Sequence, residues 1–161
     1  MPIKVEGFDE VIKKLQNLQA LEVKTKPLMS QIGNTLKNSI TDSFNEERSP
    51  FGEKWKALKP STIKQKEKKN KSNKILRRDG ALADKWLVKS SNKDVTVSNN
   101  TNSNGFAYGL THQFGSSSAG KNKRVFIPAR VFLPIDKNNK LEPNLKEDLK
   151  DLVVEFVKSN V

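Results

Sequence analysis

The sequence has no cysteine and only one histidine among its 161 residues. Without cysteine the chain has no disulfide framework and no thiolate ligand for a metal, and one histidine supplies too few nitrogen ligands for a zinc site. It also lacks an apolar segment of membrane-spanning length, and its first residues have no apolar signal region. These absences lead us to expect a soluble protein made inside the cell, with residues 1–161 forming one domain.

Basic residues are abundant but unevenly distributed. The formal net charge is +12, and residues 54–78 hold eleven lysines and arginines against one acid, Glu67. The part from 62 to 69 favours a short helix, but Ile63 is almost its only apolar residue, so it cannot bury a face. We interpret 54–78 as an exposed basic arm that contacts an acidic partner; a solvated loop without a partner is an alternative that the charge leaves equally open. The expected contact residues are Lys59, Lys64, Lys66, Lys68, Lys69, Lys71, Lys74, Arg77 and Arg78.

Three segments have the apolar spacing of amphipathic helices, namely 8–21, 27–46 and 142–159. The expected apolar face of the first is formed by Phe8, Val11, Ile12, Leu15 and Leu18. That of the second is formed by Leu28, Ile32, Leu36, Ile40 and Phe44. Thr25 is the expected cap of the second helix, with Pro27 in its first turn.

Between the arm and the last helix the pattern changes from helical to alternating. A short helix is predicted at 81–86, followed by two strands at 86–90 and 94–98. Residues 106–114 have no clear pattern, and 115–123 are expected to form a flexible loop. Because it contains two prolines, 124–135 is predicted to be an edge strand or a bulged extended segment. The order predicts an α+β domain with N-terminal helices, a small antiparallel sheet, a C-terminal helix and a protruding basic arm.

No residue pattern indicates catalysis. The chain has no nucleophile motif, no phosphate-binding glycine loop and no paired carboxylates that the spacing brings together. His112 is expected to be a hydrogen-bonded residue at a turn. Trp55 and Trp86 are interpreted as core anchors, with nucleic-acid stacking as the alternative, and Arg130 as either an interface contact or a buried ion-pair partner.

Four short motifs follow one another in a characteristic order: FGEKWKAL at 51–58, ILRRDGAL at 75–82, YGLTHQFG at 108–115 and IPARVFL at 127–133. In this order and spacing the chain resembles the phage virion morphogenesis family, the tail-completion and head–tail joining proteins that include Mu G-like and P2 S-like members. The resemblance covers about residues 5–158. The motif residues are Trp55, Leu76, Gly80, Leu82, His112, Gln113, Gly115, Pro128, Ala129 and Arg130, to which the resemblance assigns structural roles.

The resemblance implies a non-enzymatic structural protein of a phage or prophage virion that acts in tail completion or head–tail joining and needs no cofactor. Related neck and tail proteins assemble as rings, commonly of six subunits. The implied partners are further copies of the chain, other neck or tail proteins and, non-specifically, the genomic DNA, but no membrane. The implied place is the head–tail junction or the tail end of a virion assembled in the bacterial cytoplasm. The basic arm supports an alternative, a nucleic-acid-binding protein without a virion role.

Overall fold

The computed structural model describes residues 8–21, 24–120 and 122–160. Its helices are α1 (Phe8–Leu21), α2 (Lys26–Glu46), α3 (Pro60–Glu67), α4 (Ala81–Asp84), α5 (Tyr108–Phe114) and α6 (Pro143–Asn160). Its strands are β1 (Leu87–Ser90), β2 (Val95–Ser98), β3 (Ser116–Ala119) and β4 (Val125–Ile127). They form two antiparallel two-stranded sheets, β1–β2 and β3–β4, in place of the single small sheet expected. Helices combined with small antiparallel sheets confirm the predicted α+β class.

Helix α2 packs against both the β1–β2 hairpin and α6. Gly33 permits the close approach to the hairpin, because a Cβ added there would lie 2.7 Å from Val95 Cγ2 and still nearer to Val88 Cγ1. At the start of the helix Thr25 occupies the N-cap position, as predicted, but its side chain makes no capping hydrogen bond. The Thr25 hydroxyl donates to the carbonyl oxygen of Asn92, and it is Asn92 Oδ1 that accepts the Lys26 N–H at 3.1 Å.

The core is centred on Phe44, whose side chain has no exposed surface. Its ring packs edge-on against Trp55, at 5.5 Å between centroids, and at a tilt of 35° against Phe132, at 5.2 Å. Phe132 in turn packs against Trp86 at 6.0 Å. Both indole N–H groups are satisfied: that of Trp55 donates to Val131 O at 2.8 Å and that of Trp86 to Leu82 O at 2.9 Å. The core therefore joins α2, the residues around α4 and the extended chain that precedes α6.

The segment from 106 to 135 differs most from the sequence-based expectation. The unassigned residues 106–114 contain α5, and the expected flexible loop at 115–123 contains β3. Residues 124–135, predicted to be an edge strand or a bulged extended segment, form one short strand, β4, with Ser116 opposite Ile127 and Ala119 opposite Val125 in an irregular register. The pairing of β4 ends at Pro128, which has no N–H to donate. Ile135 forms an isolated antiparallel bridge with Leu141.

Helix α6 begins at a side-chain cap, since Glu142 Oε2 accepts the Leu145 N–H at 2.7 Å. It packs against α2 and also contacts α1. Ile12 and Leu15, expected in the core, are 41% and 56% exposed, so the contact with α6 does not cover them. The side chains of the other predicted members of that face lie outside the described part of the structure: Phe8, Val11 and Leu18.

Candidate interaction surfaces

The basic arm is anchored at both ends in the core. Trp55 and Ile75 are buried, and Leu58 and Leu76 pack against the same cluster. The Ile75 N–H donates to Glu47 Oε1 at 2.6 Å, which ties the returning chain to the end of α2. No residue of α3, which the structure describes in full, is buried. The part of the predicted arm that projects is therefore 59–74, and its flanks belong to the body of the domain.

Three of the nine predicted contact residues form ion pairs within the chain. Lys71 Nζ lies 2.5 Å from Asp79 Oδ1, and Arg78 Nε lies 3.4 Å from the other oxygen of that carboxylate. Arg77 Nη2 lies 2.9 Å from Asp84 Oδ1. The hydrogen bond from Lys71 is the main cause that lowers the pKa of Asp79. These pairs fold the end of the arm back against the turn before α4.

The remaining six cations have no carboxylate partner within the described ranges. Lys66 Nζ donates to the Lys74 carbonyl oxygen at 2.6 Å. Burial lowers the pKa of this lysine, and the negative charge of Glu47 partly offsets that effect by raising it. The other five ammonium groups make no ion pair with any described residue: Lys59, Lys64, Lys68, Lys69 and Lys74. The arm therefore presents positive charge that no described carboxylate neutralises.

The motif residues of α5 hold the extended segment that follows β4. Gln113 is 2% exposed, and its Oε1 accepts the N–H groups of Phe132 at 2.9 Å and Leu133 at 3.1 Å. Gly115 makes the crossing close, because a Cβ added there would lie 2.8 Å from the backbone nitrogen of Ala129. Pro128 is half-buried beside this contact, and Ala129 itself is exposed. This geometry brings the third and fourth motifs together.

Arg130 links the same segment to the first motif. Its Nε and Nη2 donate to the carbonyl oxygen of Lys56 at 3.0 and 2.8 Å, and Nη2 also reaches Ala57 O at 3.5 Å. Among the described residues this buried side chain has carbonyl partners and no carboxylate partner, so the ion pair is not found there, whereas the interface contact stays a prediction. Burial lowers the pKa of its guanidinium.

His112 lies within α5, so the expected turn was wrong. Its carbonyl oxygen accepts the Arg130 N–H at 2.7 Å, but its buried Nδ1 has no hydrogen-bond partner among the residues described. Burial, followed by the charge of Arg130, lowers the pKa of the imidazole. A neutral ring packed edge-on near Tyr108 is the state this environment favours.

The second motif, residues 75–82, leads into α4 and supplies its first two residues. Leu82 is buried in the core, and Gly80 has a φ of 77°, a conformation that favours glycine. Leu76 also has a positive φ, 54°, which is strained for a side chain of this size. A Cβ at Gly109 would lie 3.0 Å from Leu82 Cδ1, so α5 packs directly on this motif.

The chemistry available to the described residues is limited. Within 8–21, 24–120 and 122–160, no three His, Cys, Asp or Glu side chains are placed to hold a metal ion. A cleft of about 530 Å³ between α2, the turn at 48–52 and the start of α6 is lined by Asp42, Glu46, Glu142 and Asp148 among others.

In the described part of the chain we find no helix long and apolar enough to cross a bilayer.

The structure also reveals exposed apolar side chains that the sequence analysis missed. Leu110 and Phe114 lie four residues apart, which places them along one side of α5, and Phe106 lies two residues before the helix begins. All three are more than half exposed, as is Phe126 of β4. The four-residue spacing of Leu110 and Phe114 was visible in the sequence and was a signal for the helix, whereas their exposure depends on the tertiary structure.

Comparison with known proteins gives one match. The model of the phage virion morphogenesis family matches residues 3–151, which includes all four motifs. No curated protein and no solved structure matches the chain.

Proposed function

Because this chain belongs to the phage virion morphogenesis family and so takes part in phage virion assembly, we propose that it is a non-enzymatic structural protein of tail completion or head–tail joining. It acts at the neck or tail end of the virion as a ring, six copies being the size its resemblance suggests. Its partners are further copies of itself and other neck or tail proteins.

The unneutralised lysines of the projecting segment 59–74 carry this proposal. An arm held at both ends by buried side chains keeps its position while offering charge to an acidic surface outside the domain. The motif residues support the same interpretation, since the side chains of Gln113 and Arg130 form hydrogen bonds with backbone atoms of the chain itself. Residues used in this way hold a scaffold and do not face a substrate.

The five lysines that form no ion pair with a described residue also favour the second candidate, contact with nucleic acid. Such contact would be blind to sequence, because lysines on an exposed arm meet the phosphate backbone, which carries no sequence information. Both tryptophans are buried and hydrogen-bonded, so they offer no surface for base stacking. It is tested by duplex binding at several salt concentrations, with a variant in which Lys64, Lys68 and Lys69 become Gln. For a dedicated binder, the slope of the logarithm of the binding constant against the logarithm of the salt concentration should become shallower by about one unit for each phosphate contact removed. A neck protein shows weak binding that the variant barely changes.

The virion role is tested in the phage or prophage that encodes the chain. Particles made without the protein are expected to show separate heads and tails or unfinished tail ends by electron microscopy. Antibody labelling of complete particles is expected at the neck or tail end. Normal, infectious particles without the protein, or purified particles that do not contain it, would contradict the proposal.

A further inference from the structure

The cleft between α2, the turn at 48–52 and the start of α6 is acidic. Its volume is about 530 Å³, and four acids line it: Asp42, Glu46, Glu142 and Asp148. The one base among its described lining residues, Arg48, already pairs with Glu46. With four acids and one base, the described lining carries a net charge of −3. We call it the acidic cleft, and a surface of this kind attracts a cation.

The most buried of these acids has no positive partner among the described residues. Glu142 is 9% exposed; its Oε2 accepts the Leu145 N–H, and its Oε1 accepts no hydrogen bond from a described residue. A buried carboxylate without a nearby cation is costly, because burial removes the water that would stabilise its charge. Asp42 and Asp148 are exposed and form no ion pair with a described residue. The acidic cleft therefore offers three carboxylates to a cation from outside.

The lysines of the same elements do not line the acidic cleft. Lys37 of α2 and Lys146 and Lys150 of α6 lie about half a helical turn away from the lining positions. Lys54, which follows the turn, and Lys140, which precedes α6, are also not among the described lining residues. The negative charge of the acidic cleft is therefore not cancelled by bases on its own walls.

The other lining residues suit a lysine side chain. Phe51 lines the acidic cleft and is 39% exposed, and the face of an aromatic ring attracts an ammonium group within about 6 Å. Side chains with neutral oxygen acceptors also line it: Thr35, Asn38, Ser39 and Asn144. An ammonium group has three N–H donors and no acceptor, so carboxylate, hydroxyl and amide oxygens can all bind it.

The projecting segment 59–74 has the complementary charge. It contains seven lysines against one acid, Glu67, which accepts a hydrogen bond from Asn73 at 3.2 Å. Lys64 and Lys68 are exposed and four residues apart, which places them on one side of α3 and its C-terminal end. A helix is about 10–12 Å across with its side chains, so a volume of about 530 Å³ admits lysine side chains and not α3 itself.

Within one chain the arm and the acidic cleft do not meet. No residue of 59–74 lines the cleft, and none forms an ion pair with its acids. The buried side chains of Trp55 and Ile75 hold the two ends of the arm in the core. Each copy therefore presents both a basic projection and an acidic cleft to other copies.

We propose that the arm of one copy, through Lys64 and Lys68, binds the acidic cleft of a second copy. This inference rests on the proposed ring and names its subunit contact. A contact between two different surfaces repeats from copy to copy and closes into a ring when the rotation between copies allows it. Nucleic acid also suits the lysines, but its phosphates would be repelled by the carboxylates of the acidic cleft, which the second copy's arm neutralises.

Two charge-reversal variants test the contact. The arm variant is Lys64→Glu with Lys68→Glu, and the cleft variant is Asp42→Lys with Asp148→Lys. All four side chains are exposed and form no ion pair with a described residue, so both variants are expected to fold.

Each variant has a matched control that reverses two exposed charges elsewhere. Lys85→Glu with Lys89→Glu matches the arm variant, and Asp151→Lys with Glu155→Lys matches the cleft variant; none of these four forms an ion pair with a described residue. Mass is measured by light scattering, with negative-stain images of the same fractions and thermal melting of every protein.

The wild type and both controls are expected to assemble, at about 110 kDa if six copies of the 18.1 kDa chain form the ring. Each charge-reversal variant alone is expected to be an 18.1 kDa monomer that melts like its control, because like charges then face each other at the contact. Mixed in equal amounts, the two variants are expected to recover the wild-type mass. The reversed arm then meets the reversed cleft, and the native arm of the cleft variant meets the native cleft of the arm variant.

A carbodiimide, which joins a carboxylate to an ammonium group in direct contact, locates the contact in the wild type. After denaturing electrophoresis, bands of two or more chains are expected to contain peptides that link Lys64 or Lys68 to Asp42 or Asp148. The same linkage confined to the 18.1 kDa band would place the arm in the cleft of its own chain and overturn the inference.

Three further outcomes also overturn it. If both variants assemble like the wild type, the ring forms through other surfaces and the proposed function stands. If only one variant dissociates, or the mixture stays monomeric, the arm and the acidic cleft are not partners. If the wild type is monomeric at every concentration, the ring and its subunit contact are both wrong, whereas the role in tail completion or head–tail joining is judged by the particles made without the protein.

Discussion

Replacing Gln113 by leucine should destabilise the domain although the two side chains are similar in size. Leucine cannot accept a hydrogen bond, so the N–H groups of Phe132 and Leu133 lose the acceptor that lies 2.9 and 3.1 Å away. The site is 2% exposed, which keeps water from replacing the amide oxygen. The change therefore isolates the polar contribution of one buried side chain.

The expected magnitude follows from two unsatisfied donors. Each costs about 1–3 kcal/mol when buried, and the half-buried Leu133 lies at the lower end of that range. The extra apolar burial of leucine offsets about 1 kcal/mol. We expect a net loss of about 1–3 kcal/mol, a substantial share of the roughly 5–15 kcal/mol that keeps a domain folded.

The assay is urea unfolding followed by circular dichroism, with Gln31→Leu on the exposed side of α2 as the control. The control should stay within about 0.5 kcal/mol of the wild type. Amide exchange measured by NMR should accelerate at 132 and 133 in Gln113→Leu. A variant as stable as the wild type, with unchanged exchange at both amides, would refute the role assigned to this side chain.

Three further predictions concern packing, pH and charge. Gly33→Ala should lower stability by about 1–2 kcal/mol in thermal melts, because overpacking against Val88 outweighs the gain of about 1 kcal/mol in helix propensity. Adding Val88→Ala should recover part of the loss. An unchanged melting temperature in the single variant would contradict the close contact. Because the pKa of His112 is lowered in the fold, the unfolded chain binds more protons below its ordinary value of 6.5, so stability should fall as pH drops below 6.5. His112→Gln should weaken that dependence in urea titrations at pH 7 and 5.5, and an identical dependence would exclude this residue as its source. The double variant Lys64→Gln with Lys68→Gln should have an unchanged melting temperature, since both side chains are exposed and make no ion pair with a described residue. The variant protein should elute earlier than the wild type from a heparin column in a salt gradient. A lowered melting temperature would show that α3 is not a free surface.

The sequence by itself determined the elements whose pattern is local. Four-residue apolar spacing fixed α2, with Leu28, Ile40 and Phe44 buried as expected, and alternation fixed β1 and β2. The position of the basic segment and the order of the four motifs were also readable, and the motifs led to the family that the comparison then showed. Each of these depends only on residues close in sequence or on their order.

Only the tertiary structure decided what each residue meets. Arg130 finds the carbonyl of Lys56, and Trp55 donates to Val131; these partners lie more than seventy residues apart, so no local spacing records them. The same limit explains the outcome for α1. The helix was predicted correctly, but Ile12 of its apolar face was wrongly expected in the core. Periodicity shows that a face exists, whereas its burial depends on whether another element covers it.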